Sequence, residues 1–266
     1  MRLLLNTQLS LHLQAASSSG SSSVFDKNQN AYTSKNIFKD KKMKANMPLL
    51  KQKIALFMLI AAALPCLAQT AERPAWDIKD RWEYKFTQKN DGNKVSEYSH
   101  EIKKIEDRKI TITRQNKNAE GVFAGRGEEI YSSDMNFMSA SANQAVRTPD
   151  SRMLQWPLEV GKKYAAESEW VNSSTSQKGF NEYKATVESY EDVTVPAGTF
   201  KAYKVVLKGF WNRRDTQFNG SGRSTQTLWY APDAKRWVKW VSEDRSSNGQ
   251  IFNDDIAELM KYTPGK

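Results

Sequence analysis

From Trp82 to Tyr262 apolar side chains recur at every second position, in stretches too short for helices. Trp82, Tyr84 and Phe86 alternate with Arg81, Glu83, Lys85 and Thr87, the period-two pattern of a strand with one aromatic face. Similar stretches are VSEYSHEIKKI (95–105) and KITITRQ (109–115), with Glu106-Asp107-Arg108 between them as a hairpin turn. A further β-like piece covers 127–139, and Trp156-Pro157-Leu158 leads through Val160-Gly161 into a strand near Tyr164. Tyr183, Ala185 and Val187 share one face of 182–195, and Tyr203, Val205 and Leu207 share a face beyond Pro196-Ala197-Gly198. Residues 224–243 read as strand, turn at Pro232-Asp233, strand; 255–262 is a terminal strand or a helical turn.

The Pro-Ala-Gly break reads as a corner. Proline removes a ladder donor and glycine supplies a positive φ, so the chain reverses between Val195 and Phe200. Asn219-Gly220-Ser221-Gly222 reads as a hairpin tip, and the Ser/Asn-rich 172–179 as one long hairpin loop. No stretch after residue 68 sustains the i, i+3, i+4, i+7 pattern. Short strands with turns between them predict an antiparallel sandwich, barrel or curved sheet in one domain, 69–266.

The first 68 residues differ. KQKIALFMLIAAALPCLA (51–68) has lysines, an apolar run and then small residues, the order of an export signal. The run from Ile54 to Ala68 is shorter than the roughly 20 residues a membrane-spanning helix needs. This predicts a signal over 47–68, cut between Ala68 and Gln69, and a periplasmic location with no transmembrane span in the mature chain. An uncleaved anchor and acylation at Cys66 are competing readings; Pro65 fits the second poorly. Residues 1–46 contain AASSSGSSS and a lysine-rich stretch and read as a disordered or mis-assigned upstream extension.

Charge changes meaning with that division. The chain is +10, from 40 basic and 30 acidic residues. Residues 1–68 hold nine basic and two acidic side chains, which leaves 31 against 28 in the remainder. The basic excess that would suggest nucleic acid therefore lies mostly in the leader, and no nucleic-acid partner is expected. Cys66 is the one cysteine, so a mature chain without it has no disulfide.

Little in the sequence suggests catalysis. His100 is the one histidine after residue 68, which removes His-pair metal sites, and a lone strand histidine reads as a surface residue. Gly121 and Gly125-Arg126-Gly127 lack the Lys-Ser/Thr of a phosphate loop. Glu128-Glu129 and Asp254-Asp255 point to opposite faces of their strands and read as solvated charges. No cofactor, metal or catalytic residue is expected, and the protein reads as a non-enzyme. All eight tryptophans follow residue 68, with basic residues among them in GFWNRR and KRWVKW. Most would fill a core; Trp82, Tyr84, Phe86, Trp229 and Trp237 are the candidates for lining an apolar groove.

Asp80-Arg81-Trp82-Glu83-Tyr84, Val160-Gly161, VTVPAGTFKAYKV (193–205) and LWYAPDAKRWVKW (228–240) together resemble the TapB-like group of periplasmic β-proteins, which are similar to the LolA-like lipoprotein carriers. The resemblance spans about 76–262. It implies an all-β half-barrel, one strongly curved antiparallel sheet open on one side, with no catalytic residues to carry over. The expected function is binding of an apolar or envelope-derived ligand (lipid or glycan) or of an envelope protein, by a monomer. An envelope hydrolase whose carboxylates meet only in the fold, and an accessory subunit of a surface assembly, are the alternatives.

Overall fold

Wherever the apolar phase of a stretch is unbroken it becomes a strand, and glycine, proline or an Asp/Asn turn ends it. The structure is a computed structural model that describes residues 70–265, apart from the Arg126 side chain. The upstream extension, the export segment with Cys66, and the cleavage site at Ala68 and Gln69 lie outside the described residues.

In chain order the strands are β1 (Thr70–Ala71), β2 (Arg81–Gln88), β3 (Lys94–Glu106), β4 (Lys109–Lys117), β5 (Phe123–Ser132), β6 (Phe137–Ala140) and β7 (Ala145–Thr148). There follow β8 (Leu158–Glu159), β9 (Lys163–Asn172), β10 (Gln177–Val195), β11 (Gly198–Arg214), β12 (Asn219–Ala231), β13 (Arg236–Ser246) and β14 (Ile251–Thr263). A single 3₁₀ turn at Pro232–Ala234 joins β12 to β13. The 255–262 stretch is strand, and the long loop expected at 172–179 is a tight turn between Asn172 and Gln177. Asn219–Gly222 opens β12 instead of forming a tip. Asp107 and Arg108 both have positive φ, 49° and 61°, which suits a two-residue hairpin turn whose twist matches its strands.

The half-barrel expectation is overturned. Twelve strands close into one antiparallel barrel in the order β10-β11-β12-β13-β14-β2-β3-β4-β5-β6-β7-β9, with β9 returning to β10. The strands that close it are the least legible ones. β6 and β7 have four residues each and pair over two register positions, Ser139↔Val146 and Ala140↔Ala145. β7 then pairs with β9 through Ala145↔Asn172 to Thr148↔Glu169. Without that bridge β5 and β9 would be exposed edges; closure leaves neither to pair with another chain.

Side chains alternate across the wall. Tyr183, Ala185 and Val187 of β10 are buried inward while Lys178, Glu182 and Lys184 are exposed. Lys208, Arg223 and Glu97 likewise lie on the outer face of their strands. Exposed apolar residues lie among them, including Val146, Val171, Phe180 and Phe210. Among the described residues no helix is long and apolar enough to cross a membrane.

One end of the barrel is filled. The 149–162 connection places Leu154 and Leu158 against Tyr183, Val187, Tyr203 and Tyr230, with Trp156 edge-on to Tyr230 at 4.8 Å. The β10–β11 hairpin runs beyond its last pairing with β12, at Tyr203↔Tyr230. Its tip buries Val193, Val195 and Ala202 against Trp82, Ala231, Val238 and Leu259, and the Ala197 N–H donates to the Leu259 carbonyl (3.0 Å). The Pro-Ala-Gly corner is thus a plug. Buried Asp80 ties the same end together. It accepts from Tyr262 Oη (2.8 Å), Gly265 N (2.9 Å), Asp77 N (2.9 Å) and Lys235 Nζ (3.2 Å).

Candidate functional site: the barrel lumen

The inward positions change chemistry along every long strand. On β2, Trp82 and Tyr84 are fully buried, and Phe86 and Gln88 only partly. On β4, Ile110 and Ile112 give way to Arg114 and Asn116; on β14, Leu259 and Ala257 give way to Asp255 and Asn253. On β10, Val187, Ala185 and Tyr183 give way to Asn181, Gly179 and Gln177. The lumen is therefore apolar and packed toward the hairpin plug, and polar and partly accessible at the other end. A barrel of about eight strands is just filled by side chains, so twelve strands enclose a wider lumen.

The polar end is wired by hydrogen bonds. Arg147 Nη1 donates to Ser168 Oγ and Asn181 Oδ1, each at 3.1 Å. Asn181 Nδ2 (3.1 Å) and Gln226 Nε2 (3.0 Å) both donate to Tyr183 Oη, which donates to Ser224 Oγ (3.1 Å). Trp240 Nε1 donates to Gln226 Oε1 (3.2 Å), and Asn253 Nδ2 to Asp244 Oδ2 (2.8 Å). Asp244 faces Asn253, and Asp255 faces Ser242, so the two aspartates are diagonal neighbours on one face. Burial, then the charges of Asp244 and Asp254, pushes the Asp255 carboxyl up to about 6. Burial likewise raises Asp244. At the rim, over Gly179, a hollow of about 330 Å³ is lined by Trp170, Phe180 and Arg213 among others.

Where the two chemistries meet lies a charged, aromatic cluster. Arg236 is 2% exposed. Its guanidinium carbon sits 5.0 Å from the Trp82 ring centre, 5.3 Å from Tyr131, 5.6 Å from Trp237 and 6.0 Å from Tyr84. Beside it Arg114 lies 4.1 Å above Tyr98, and Tyr98 stacks on Tyr84 at 5.4 Å. Buried Glu129 is shared: Tyr131 Oη donates to Oε2 (2.7 Å), His100 Nε2 lies 3.3 Å from Oε2, and Arg114 Nη1 lies 3.4 Å from Oε1. Burial pushes the Tyr98 phenol up to about 12 against the pull of Arg114 and Arg236, so it remains protonated.

Four of the five aromatic residues singled out from the sequence, Trp82, Tyr84, Phe86 and Trp237, come together on the lumen face. Trp82 and Tyr84 are 0% exposed; Trp82 Nε1 donates to Ala234 O (2.7 Å), and Tyr84 Oη to Trp237 O (2.9 Å). Trp229 lies on the opposite face, paired with Lys239 and donating from Nε1 to Glu191 Oε1 (2.8 Å). His100, expected at the surface, is 3% exposed, and Glu129 and Asp255, expected to be solvated, face inward. The signal for these was phase: Arg114 is in step with Ile110 and Ile112, Glu129 with Tyr131, and Asp255 with Ala257. Arg236 gave no such signal, because the bulge between Trp229 and Tyr230 breaks the phase of the paired strands there.

No protein-family profile matches the chain, and no curated protein matches it in sequence. Three solved structures are similar in shape. A candidate exported protein with a YmcC-like fold from Bacteroides fragilis is 15% identical over 73% of this chain and 99% of its own, with a TM-score of 0.46. A candidate lipoprotein from Parabacteroides distasonis is 14% identical over the same shares, also at 0.46. The hypothetical lipoprotein YmcC from Escherichia coli is 8% identical over 83% and 100%, at 0.35.

Proposed function

We propose that the protein is an exported, non-enzymatic binding barrel whose lumen takes an envelope-derived ligand through its polar end. The observation that carries this reading is the axial gradient of the lumen. Aromatic faces at Phe86, Trp170 and Trp240 share that end with the amides and hydroxyls of Asn181, Gln226, Tyr183 and Ser242. Flat apolar faces beside many hydrogen-bonding groups suit a ligand with both characters, such as a glycan or the sugar of a glycolipid. Export is supported by the sequence of residues 51–68.

Native mass spectrometry of protein taken from its own envelope should show a bound species, and calorimetry with envelope glycan fragments should show saturable binding. Trp240→Ala should weaken that binding at least about tenfold, the equivalent of about 1.4 kcal/mol, while Phe210→Ala on the outer face should leave it unchanged. Absence of binding to every glycan and lipid fraction would reject the reading.

A second reading, a hydrolase, is favoured by Asp244 and Asp255, two inward carboxyls with raised pKa values on one face. Turnover of an envelope glycan that Asp255→Asn abolishes without loss of binding would establish it.

A further inference from the structure

Among the described residues, Nε and Nη1 of Arg236 have no hydrogen-bond partner, although both are buried; nor has Nε of Arg114. A buried guanidinium is costly unless paired and hydrogen-bonded. The rings of Trp82, Tyr84, Tyr131 and Trp237 offset part of that cost through their faces, but a ring face does not satisfy an N–H in the guanidinium plane. Glu129 is the buried acid of this cluster, and its two oxygens are already engaged by Tyr131, His100 and Arg114. Both guanidiniums act electrostatically on the same two phenols, Tyr98 and Tyr131, which places them in one field. Two fixed cations thus share one carboxylate, and three buried N–H groups have no partner among the described residues. A water molecule could accept from those donors but would leave the charge unbalanced.

We infer that Arg236, with Arg114 beside it, is an anion-binding site that receives an ionised carboxylate or phosphate carried by the ligand of the lumen. The inference rests on the lumen-binding reading and adds to it that the ligand is anionic. Arginine suits the role, because its fixed fork of donors matches both groups. The protonated Tyr98 phenol beside the pair can donate to the same anion.

The test uses the mature chain and five probes: laurate, dodecyl phosphate, neutral dodecanol, inorganic phosphate and acetate. Affinities are measured by calorimetry, and the Arg236 Nε–H signal is followed by nitrogen-15 NMR during each titration. The inference expects laurate or dodecyl phosphate to bind at least about tenfold tighter than dodecanol and to shift the Arg236 Nε–H resonance. Arg114→Gln and Arg236→Lys should each reduce that preference at least severalfold. Shifts produced equally by inorganic phosphate or acetate would assign the site to free anions and overturn the ligand-borne version.

Equal binding of charged and neutral amphiphiles, with a static Arg236 signal, would overturn the anion site and leave the lumen reading intact. No binding of any amphiphile or envelope glycan would reject the lumen reading itself. The NMR readout on the unmodified protein stands even if an arginine variant fails to fold.

Discussion

Asp255 shows what a single misplaced charge does to a strand. It occupies the apolar phase of β14, one step beyond Ala257 and Leu259, and Oδ1 is buried without a hydrogen-bond partner among the described residues. Its folded pKa is about 6, against a reference value of 3.8. The folded state therefore holds this proton more tightly than the unfolded chain does. Stability should fall as pH rises from about 4 to about 6, and the loss should be complete above that window. Burial raises Asp244 in the same direction. Asp255→Asn is expected to raise the melting temperature by a few degrees at pH 7.5 and to converge with the parent below about pH 4. A melting-temperature difference constant across that range would show that Asp255 is not the source.

At the scale of elements, two glycines separate two kinds of constraint. Gly198 begins β11 with φ at 129° and nothing near its missing Cβ; there the demand is conformational. Gly209 has an ordinary backbone, but a Cβ would collide with the Glu182 carbonyl on the neighbouring strand. Inward aromatic rings cover several such positions: Tyr183 lies opposite Gly209, Trp170 opposite Gly179 and Trp211 opposite Gly222. Rings laid over glycines let the wall twist sharply without opening a hole. In urea unfolding, Gly198→Ala should cost about 1–2 kcal/mol, and Gly209→Ala should cost more because backbone must move. Gly125→Ala, with open space and a backbone outside the left-handed region, should stay within about 0.5 kcal/mol of the parent. A reversed order would contradict the contact argument.

For the whole molecule, the consequence of the axial gradient is uneven rigidity. Strand segments at the plugged end have fully buried inward side chains; those at the polar end have glycine, asparagine and partly accessible tryptophan. Backbone openings at the polar end should therefore need less free energy. Hydrogen exchange should be slowest at 183–187 and 203–207, and measurably faster at 177–181 and 211–214. Uniform protection along β10 and β11 would mean that both ends are equally packed. Addition of a lumen ligand should slow the second set and leave the first unchanged.

The phase of apolar residues by itself determined the strands at 82–87, 95–105, 109–115 and 182–195, the faces of Tyr183–Val187 and Tyr203–Leu207, and the Pro-Ala-Gly reversal, because these depend only on near neighbours in the chain. The order of residues 51–68 likewise carried the expectation of export. Tertiary structure decided closure, since β6 and β7 are too short to show a period and are held by partners distant in sequence. It also decided the site. The pairings that gather Arg114, Glu129 and Arg236 around shared rings, and set Asp244 beside Asp255, are register relations between strands, which no single stretch encodes.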